Sequence, residues 1–594
     1  MKKKYLLALS ILSILALAGC SNVNTNSRGN TPGEQSGSDY DYNDPIEVED
    51  PDEIDVDEST SEFSLETTDG NYSKSGNVYL ISAAGTYKAS GKLEGQLLVQ
   101  AGEEDEVVIE LSDASISYDQ DSPIKAVSAG KVEISAKSGT GNVVTDNRSS
   151  KTVENEALGE GAISSDVDLK LKGKGTLVVT GNYNNGIHTS KDLTIQNLVL
   201  KSTGYNNAIK GKNSVTIDSG EVQAYAKTGN GIKTDDSDVS SKGKQRGTIA
   251  INGGTVYVDS LHDAIDASYN IEINETSEEA PTSISIKTGT NSTYYSKSTF
   301  KADSEKGLKA QNDIIVNKGT VVIAASDDAI HANYGETLDS GAKGTGNITI
   351  NDGLIQVASG DDGLHSDNTL TINGGKIIVT GATEGFEANY ITITGGYSYI
   401  YGTDDGVNCS KKSFSNCAFT MNGGYLDVAV RNGDTDGIDS NGNFSLSGGV
   451  IVSRGSPGTS GSGMSTGLDV DGTCSITGGT FIAFNGLETT PSTGSSIYYA
   501  STSSTSSGGW RQSYAPGGGG GFPGGGGSSS KYSFQAGEYT LTGDGLDISF
   551  TNDYAYGNFL IYSSSLVSNA TYTLSRANST VLSWTQSSKS VTIS

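Results

Sequence analysis

Proline is scarce in this 594-residue chain (9 residues), and so are cysteine (4), histidine (4), methionine (3) and tryptophan (2). So few cysteines over such a length exclude a disulfide-stapled fold, and setting Cys20 aside leaves the odd set Cys409, Cys417 and Cys474. No cysteine–histidine cluster stands at zinc-site spacing. Positive charge is in deficit: 40 Lys and Arg face 70 Asp and Glu, for a net charge of −30. That balance argues against nucleic acid or an anionic membrane surface as a partner and favours hydrated surfaces and cations. The apolar run over residues 5–18 is too short to cross a bilayer. Neither an EF-hand loop nor a calcium-binding nonapeptide repeat is present. Glycine (78) and tyrosine (29) are abundant instead, and tyrosine exceeds phenylalanine (12) and tryptophan together. Such a composition suits a chain that turns every few residues, and its regular alternation argues against disorder over most of the length.

Lys2, Lys3 and Lys4 precede the apolar run, and Leu17-Ala18-Gly19-Cys20 closes it. This resembles the lipobox of a bacterial lipoprotein. The resemblance implies a signal peptide over 1–20, lipidation of Cys20, export, and display at the cell surface with membrane contact through that anchor alone. Residues 21–62 read as an acidic disordered linker. Twelve carboxylates and no Lys or Arg lie between Asp39 and Glu62, and self-repulsion extends such a segment. The repetitive region spans 63–490. Residues 491–530 form a Gly/Ser-rich loop or linker. Residues 531–594 regain strand-like alternation without the repeat, as a β cap over an open sheet edge or as a small β-domain.

The repeat is clearest over 345–449. GNITINDGLIQVASGDDGLHSD is followed by NTLTINGGKIIVTGATEGFEAN and YITITGGYSYIYGTDDGVNCSK. Each unit pairs an alternating strand closed by a Gly-Gly-like turn with an acidic turn that feeds a short strand. Repeats this short with period-two alternation predict an all-β solenoid, a parallel β-helix. Aligned on the turn glycines Gly353, Gly375, Gly396, Gly424, Gly449 and Gly479, the residue five places earlier is Ile348, Leu370, Ile391, Phe419, Phe444 or Cys474. Such columns point inward, because a strand shows alternate residues to one side. Cys474 falls in this column, Cys409 takes a repeat position held elsewhere by Ala267, Ala310, Ala332, Ser366, Ala388 and Ser440, and both read as small core residues.

The acidic turns supply the candidate metal ligands. Asp328, Asp362, Glu384, Asp405 and Asp436 precede the small residue of the motif on successive turns, Asp263 does so two turns before Asp328, and Asp266, Glu387 and Asp439 follow it two places on. Asp327, Asp361, Asp404 and Asp434 add further carboxylates. Both columns are expected to face outward, with neighbours about 4.8 Å apart. Carboxylates so spaced repel unless cations or protons intervene, and calcium takes six to eight oxygen ligands. The other account is a solvated acidic face in which Asp serves as a turn residue. His331 and His365 fall on adjacent turns of the same outward column. Tyr397, Tyr399 and Tyr401 alternate outward on one strand, and Tyr425 repeats the position of Tyr397. Together with Lys309 and the two histidines they are candidate glycan contacts, since exposed rings stack on sugar faces. Ordinary outward β-forming tyrosines fit the same pattern.

The runs AGTYKASGKLEGQLLV (84–99), VVIELSDASI (107–116) and KVEISAKSGTGNVVTD (131–146), with the later turns, resemble a family of secreted bacterial carbohydrate-binding proteins. The resemblance implies a right-handed parallel β-helix of pectate-lyase-like fold, binding of cellulose and acidic plant polysaccharides, and bound calcium. No complete catalytic set emerges: Lys233, Lys309 and Arg431 are the available bases for a lyase, and Gly-His-Gly and Arg-Ile-Lys motifs are lacking. The expectation is therefore a monomeric, non-catalytic, calcium-assisted polysaccharide binder. A calcium-dependent uronan lyase and a structural or adhesive surface protein are the alternatives.

Overall fold

The computed structural model describes residues 46–152, 155, 157–289, 304–431, 433, 435–457, 465–502 and 532–593. Cys20, Asp434 and most of the Gly/Ser-rich segment lie outside the described residues. Every regular element among the described residues is a β-strand. Most strands belong to one continuous parallel stack in which each pairs with its equivalent one coil later, the architecture of a parallel β-helix.

Three sheets run the length of the stack. The first contains Asn347–Ile350 and its equivalents through Cys474–Ile476. The second contains the longer strands, among them Gly254–Ser260, Leu354–Ser359 and Tyr397–Gly402. The third is built from short strands such as Leu308–Ala310, Ile330–Ala332 and Val407–Cys409. The inward columns are hydrogen-bonded neighbours: Ile348 pairs with Leu370, then Ile391, Phe419, Phe444 and Cys474. All are at most 5% exposed. Each fully buried aliphatic or aromatic side chain contributes about 1.5–3 kcal/mol, so the column is a continuous source of stability that one coil could not provide alone. Phe419 and Phe444 stack at 5.2 Å with an interplanar angle of 5°. Cys409, Cys417 and Cys474 are free and buried.

The Gly-Gly turns have a steric cause. Gly375 adopts φ 79°, and a Cβ there would stand 2.7 Å from the carbonyl oxygen of Gly353 on the coil before. Only glycine permits both the left-handed conformation and that approach. The asparagines beside these turns form their own ladder, in which Asn274, Asn317, Asn351 and Asn373 each donate Nδ2–H to the amide oxygen of the preceding member at 2.7–3.0 Å.

Part of the acidic segment expected to be a disordered linker is ordered. Residues 46–59 lie across the outer face of the second sheet and its forerunners, perpendicular to the strands. The Ile46 N–H donates to Thr380 Oγ1 at 2.9 Å, Tyr257 Oη donates to Asp50 at 2.9 Å, and Lys287 pairs with Asp50 at 2.7 Å. Gln223 and Lys201 donate to the carbonyls of Asp52 and Ile54, and the Ser59 N–H reaches Ser115. Ile46 packs with Ala358 and Ile378, and Val48 with Tyr257 and Ala324. The reason is visible in the sequence: Ile46, Val48, Ile54 and Val56 share one parity, a sparse apolar stripe under a dense charge pattern.

At the other end, Phe559–Ser563 pairs antiparallel with Thr480–Phe484, continuing the second sheet. An antiparallel sheet of Gly537–Gly543, Leu546–Asn552, Thr571–Arg576 and Ser579–Thr585 packs its buried residues against Val452, Ile482 and Phe484 on the outer face of the second sheet.

Candidate functional site

Among the described residues, the turn between the second and third sheets and the outer face of the third sheet hold most of the paired charge. Along that face the register runs His188, Lys210, Lys233, Asp266, Lys309, His331, His365, Glu387, Asn408, Asp439, Asp469, each adjacent to the next. Basic residues dominate one end and carboxylates the other.

The turn carboxylates do not stand free in solvent, contrary to the outward exposure expected for them. Asp263, Asp328 and Asp362 are 3%, 2% and 3% exposed. Each folds back along the stack and accepts a backbone N–H from the next coil. Oδ1 of Asn185 accepts from Asn207 at 3.3 Å, Asn207 from Asn230 at 3.0 Å, and Asp263 from Lys306 at 2.9 Å. Asp328 accepts from Asp362 at 3.0 Å, Asp362 from Glu384 at 3.2 Å, and Asp405 from Asp436 at 2.8 Å. This ladder serves the fold, since it satisfies N–H groups that would otherwise be buried without partners. Asparagine does the same work in the earlier coils, so aspartate adds only a second, charged oxygen. Without calcium at pH 8, Asp405→Asn is expected to match or exceed wild-type stability, because it keeps the acceptor and removes a buried charge. Asp405→Ala is expected to lose about 1–3 kcal/mol by urea denaturation.

The second oxygens have different partners along the face. Lys309 pairs with Asp263 at 3.0 Å and Lys233 pairs with Asp266. Burial alone would lower the Lys233 ammonium, but the Asp266 carboxylate outweighs it and raises the group. That is opposite to what a lysine base requires. Lys306 bridges Asp327 and Asp328 at 2.7 and 2.8 Å. His331 Nδ1 lies 2.6 Å from Asp328 Oδ2, His365 Nδ1 lies 3.0 Å from Asp362 Oδ2, and Lys412 pairs with Glu387. Asp361, Asp362 and Glu384 bring ligand atoms within 4.8 Å of one another, as do Asp327, Asp328 and Asp361.

Towards the C-terminal coils cations run out. Among the described residues no ion pair joins Asp405, Asp436 or Asp439. Burial, reinforced by repulsion from neighbouring carboxylates, pushes Asp405 up to about 8, Asp436 to about 7 and Asp439 to about 6. Asp404 lies beside Asp405 and contributes to its shift.

At the basic end of the same face is a cleft of about 640 Å³ lined by Lys151, Glu160, Asn184, His188, Tyr205 and Lys210. Burial and the nearby Lys210 charge push His188 down to about 4, which keeps its imidazole neutral. Lys151 donates to both oxygens of Glu160, at 2.9 and 2.8 Å. The sequence offered no signal for this cleft beyond His188 and Lys210, because Lys151 and Glu160 sit in a connection outside the repeat.

The tyrosines lie on a different face, and the expectation that they present open rings to solvent does not hold. Tyr401 is 8% exposed and packs with Ala429 and Tyr554. Tyr425 Oη donates to the Ser549 carbonyl at 3.1 Å, and Tyr399 packs against the cluster that holds Ile46. Tyr397 is half-buried, 6.2 Å from the ring of Tyr425. Alternation reported which way the rings point; it carried no information on the segments that cover them.

A family model described as "Carbohydrate-binding domain-containing protein" matches residues 75–343 and 335–385, together more than half of the chain. The chain belongs to this family. The match takes in the basic cleft, His331, His365 and the turns up to Glu384, and ends before Tyr397. A carbohydrate-binding domain-containing protein of Acetivibrio thermocellus is 37% identical over 205 residues, which are 34% of this chain and 65% of that relative's length. A solved structure, described as the polysaccharide lyase-like protein from C. thermocellum in a gadolinium derivative, is 30% identical and covers 43% of this chain and 91% of its own, with a TM-score of 0.34.

Proposed function

We propose that this protein binds polysaccharide without cleaving it, along the outer face of the third sheet, with calcium held at the acidic end. The observation that carries the reading is a pair of adjoining columns over three successive coils, Asp405 beside Asp436 in the turn and Asp439 beside Asp469 on the third sheet. Calcium answers such an array, because it takes many oxygen ligands and tolerates irregular geometry. It would bridge these carboxylates to uronate carboxylates of an acidic plant-type glycan. The cleft at the basic end supports the same reading: Tyr205 offers a ring, neutral His188 and Asn184 suit hydroxyls, and Lys151 and Lys210, paired with Glu160 and Asp235, would reach an acidic sugar by exchanging those partners. Family membership adds carbohydrate as the ligand class. Export and anchoring through Cys20 belong to this reading, and release of Cys20→Ala protein into the medium would check them.

The deciding measurement is titration calorimetry with polygalacturonate and with soluble cellulose oligomers, in calcium and in chelator. Binding of polygalacturonate is expected in calcium, weakened about tenfold or more by Asp405→Asn with Asp439→Asn, with no unsaturated product. Tyr401→Phe is expected to leave binding unchanged. Absence of affinity for either glycan, with and without calcium, would overturn the proposal.

A further inference from the structure

We propose that His331, His365, Asp328 and Asp362 form a site for one transition-metal cation of the zinc class, distinct from the all-carboxylate array further along the face. The site is made by register: His331 and His365 are paired neighbours on adjacent coils, and their rings stack at 4.2 Å and 10°. That stacking points both Nδ1 atoms the same way, towards two carboxylates. Asp328 Oδ2 is 2.6 Å from His331 Nδ1 and 3.5 Å from His365 Nδ1, and Asp362 Oδ2 is 3.0 Å from His365 Nδ1. Ligand atoms of Asp328, His331 and His365 all fall within 4.8 Å of one another.

Two further observations point to a cation here. His365 is 8% exposed, and its Nδ1 makes no hydrogen bond although Asp362 Oδ2 is 3.0 Å away. A lone pair aimed at a metal has that geometry. On the far side of both rings stands the Asp367 carboxylate, whose Oδ1 is 3.5 Å from His331 Nε2 and 3.4 Å from His365 Nε2; Glu387, at 3.6 Å, and the Lys412 ammonium, at 3.4 Å, also approach His365 Nε2. Metal-bound histidines commonly give their other ring N–H to a carboxylate, which fixes the tautomer and aims the ligating nitrogen. Asp367 is near enough to both rings to take this part, although His331 Nε2 makes no hydrogen bond as the rings now lie.

The donor set selects the ion. Two imidazole nitrogens with two carboxylate oxygens suit zinc, nickel or copper, whereas calcium and magnesium prefer oxygen alone. Bonds of about 2.0–2.2 Å need only a small opening of the His331–Asp328 contact. Lys306 also reaches Asp328 Oδ2, at 2.8 Å, but it holds Asp327 at 2.7 Å and can keep that partner when a metal takes Asp328.

The test uses the full chain, stripped with chelator, dialysed and titrated with zinc by calorimetry, with cobalt as a spectroscopic substitute. About one zinc per chain is expected, retained in excess calcium, and cobalt should give a visible band of mixed nitrogen–oxygen ligation. Asp367→Asn should weaken zinc about 10- to 100-fold, because it acts only through the rings. His331→Gln with His365→Gln should abolish both zinc binding and the cobalt band. Asp405→Asn with Asp439→Asn should leave zinc binding intact while weakening the calcium-dependent glycan response, so the two sites fail separately. Equal zinc binding by wild type and the double histidine variant would overturn the proposal. So would displacement of zinc by calcium, or no zinc binding to a stripped chain whose circular dichroism matches the untreated protein.

Discussion

Arg454→Ala is expected to cost about 3–5 kcal/mol and to release the C-terminal β-segment from the last coils. Arg454 is 1% exposed. Its guanidinium pairs with Asp427 and donates to the Val428 carbonyl at 3.0 Å, both on the solenoid. It also donates to Asn552 Oδ1 and the Thr551 carbonyl at 2.7 Å, both on the C-terminal sheet. One planar cation thus satisfies acceptors on two bodies of structure. Truncation leaves Asp427, 4% exposed, as a buried charge without its cation. Trp584 lies in the core that would open, so its fluorescence should show an early transition in denaturant. Arg454→Met combined with Asp427→Leu should recover most of the loss, since replacing both members of a buried pair by apolar groups is often neutral. If Arg454→Ala shifts neither the transition nor its midpoint, this side chain does not join the two parts.

The second large effect is on pH and calcium together. Asp405, Asp436 and Asp439 have folded-state values near 8, 7 and 6 against an ordinary 3.8. An acid raised on folding binds its proton more tightly in the native chain. Its contribution to stability is therefore complete below about pH 4 and is lost as pH rises through 6 to 8. In chelator, the thermal midpoint should fall steadily between pH 5 and pH 8. Calcium should restore it at pH 8, where it replaces the lost protons, and do little at pH 5, where protons compete. A calcium effect of equal size at both pH values would show that these carboxylates are not the ligands.

Much of the fold was legible because a solenoid repeats its physics. Constant spacing from turn glycine to inward residue gives a column, and Ile348, Leu370, Ile391 and Phe419 are adjacent in the structure as they are in the alignment. The site was legible as a set of columns but not as an environment. Asp328 as a metal ligand and Asp328 as an acceptor for the next coil's N–H leave the same letter in the same place. Only the asparagines at 185 and 207, which perform the second task without charge, mark the difference. Asp367 is written two residues after His365, but no spacing rule revealed that it faces both rings. Lys412 lies in an insertion with no register at all. Tyr401 and Tyr425 showed their direction and hid their cover, because cover comes from chain 124–153 residues away.

The segment laid across the second sheet also measures length. From Ser115 to Thr380 the stack advances about nine coils at about 4.8 Å each, some 43 Å. From Ser59 to Ile46 an extended chain covers about the same distance in thirteen steps of about 3.3 Å. The coils are interchangeable units, each seeing only its neighbours, so nothing within them limits their number. The crossing segment is not made of units and has one length. Gain or loss of a coil between its two ends would leave it slack or short by one strand spacing. Repeat number and segment length can therefore change only as a pair, and this peripheral stretch acts as a ruler on a stack that could otherwise grow or shrink freely.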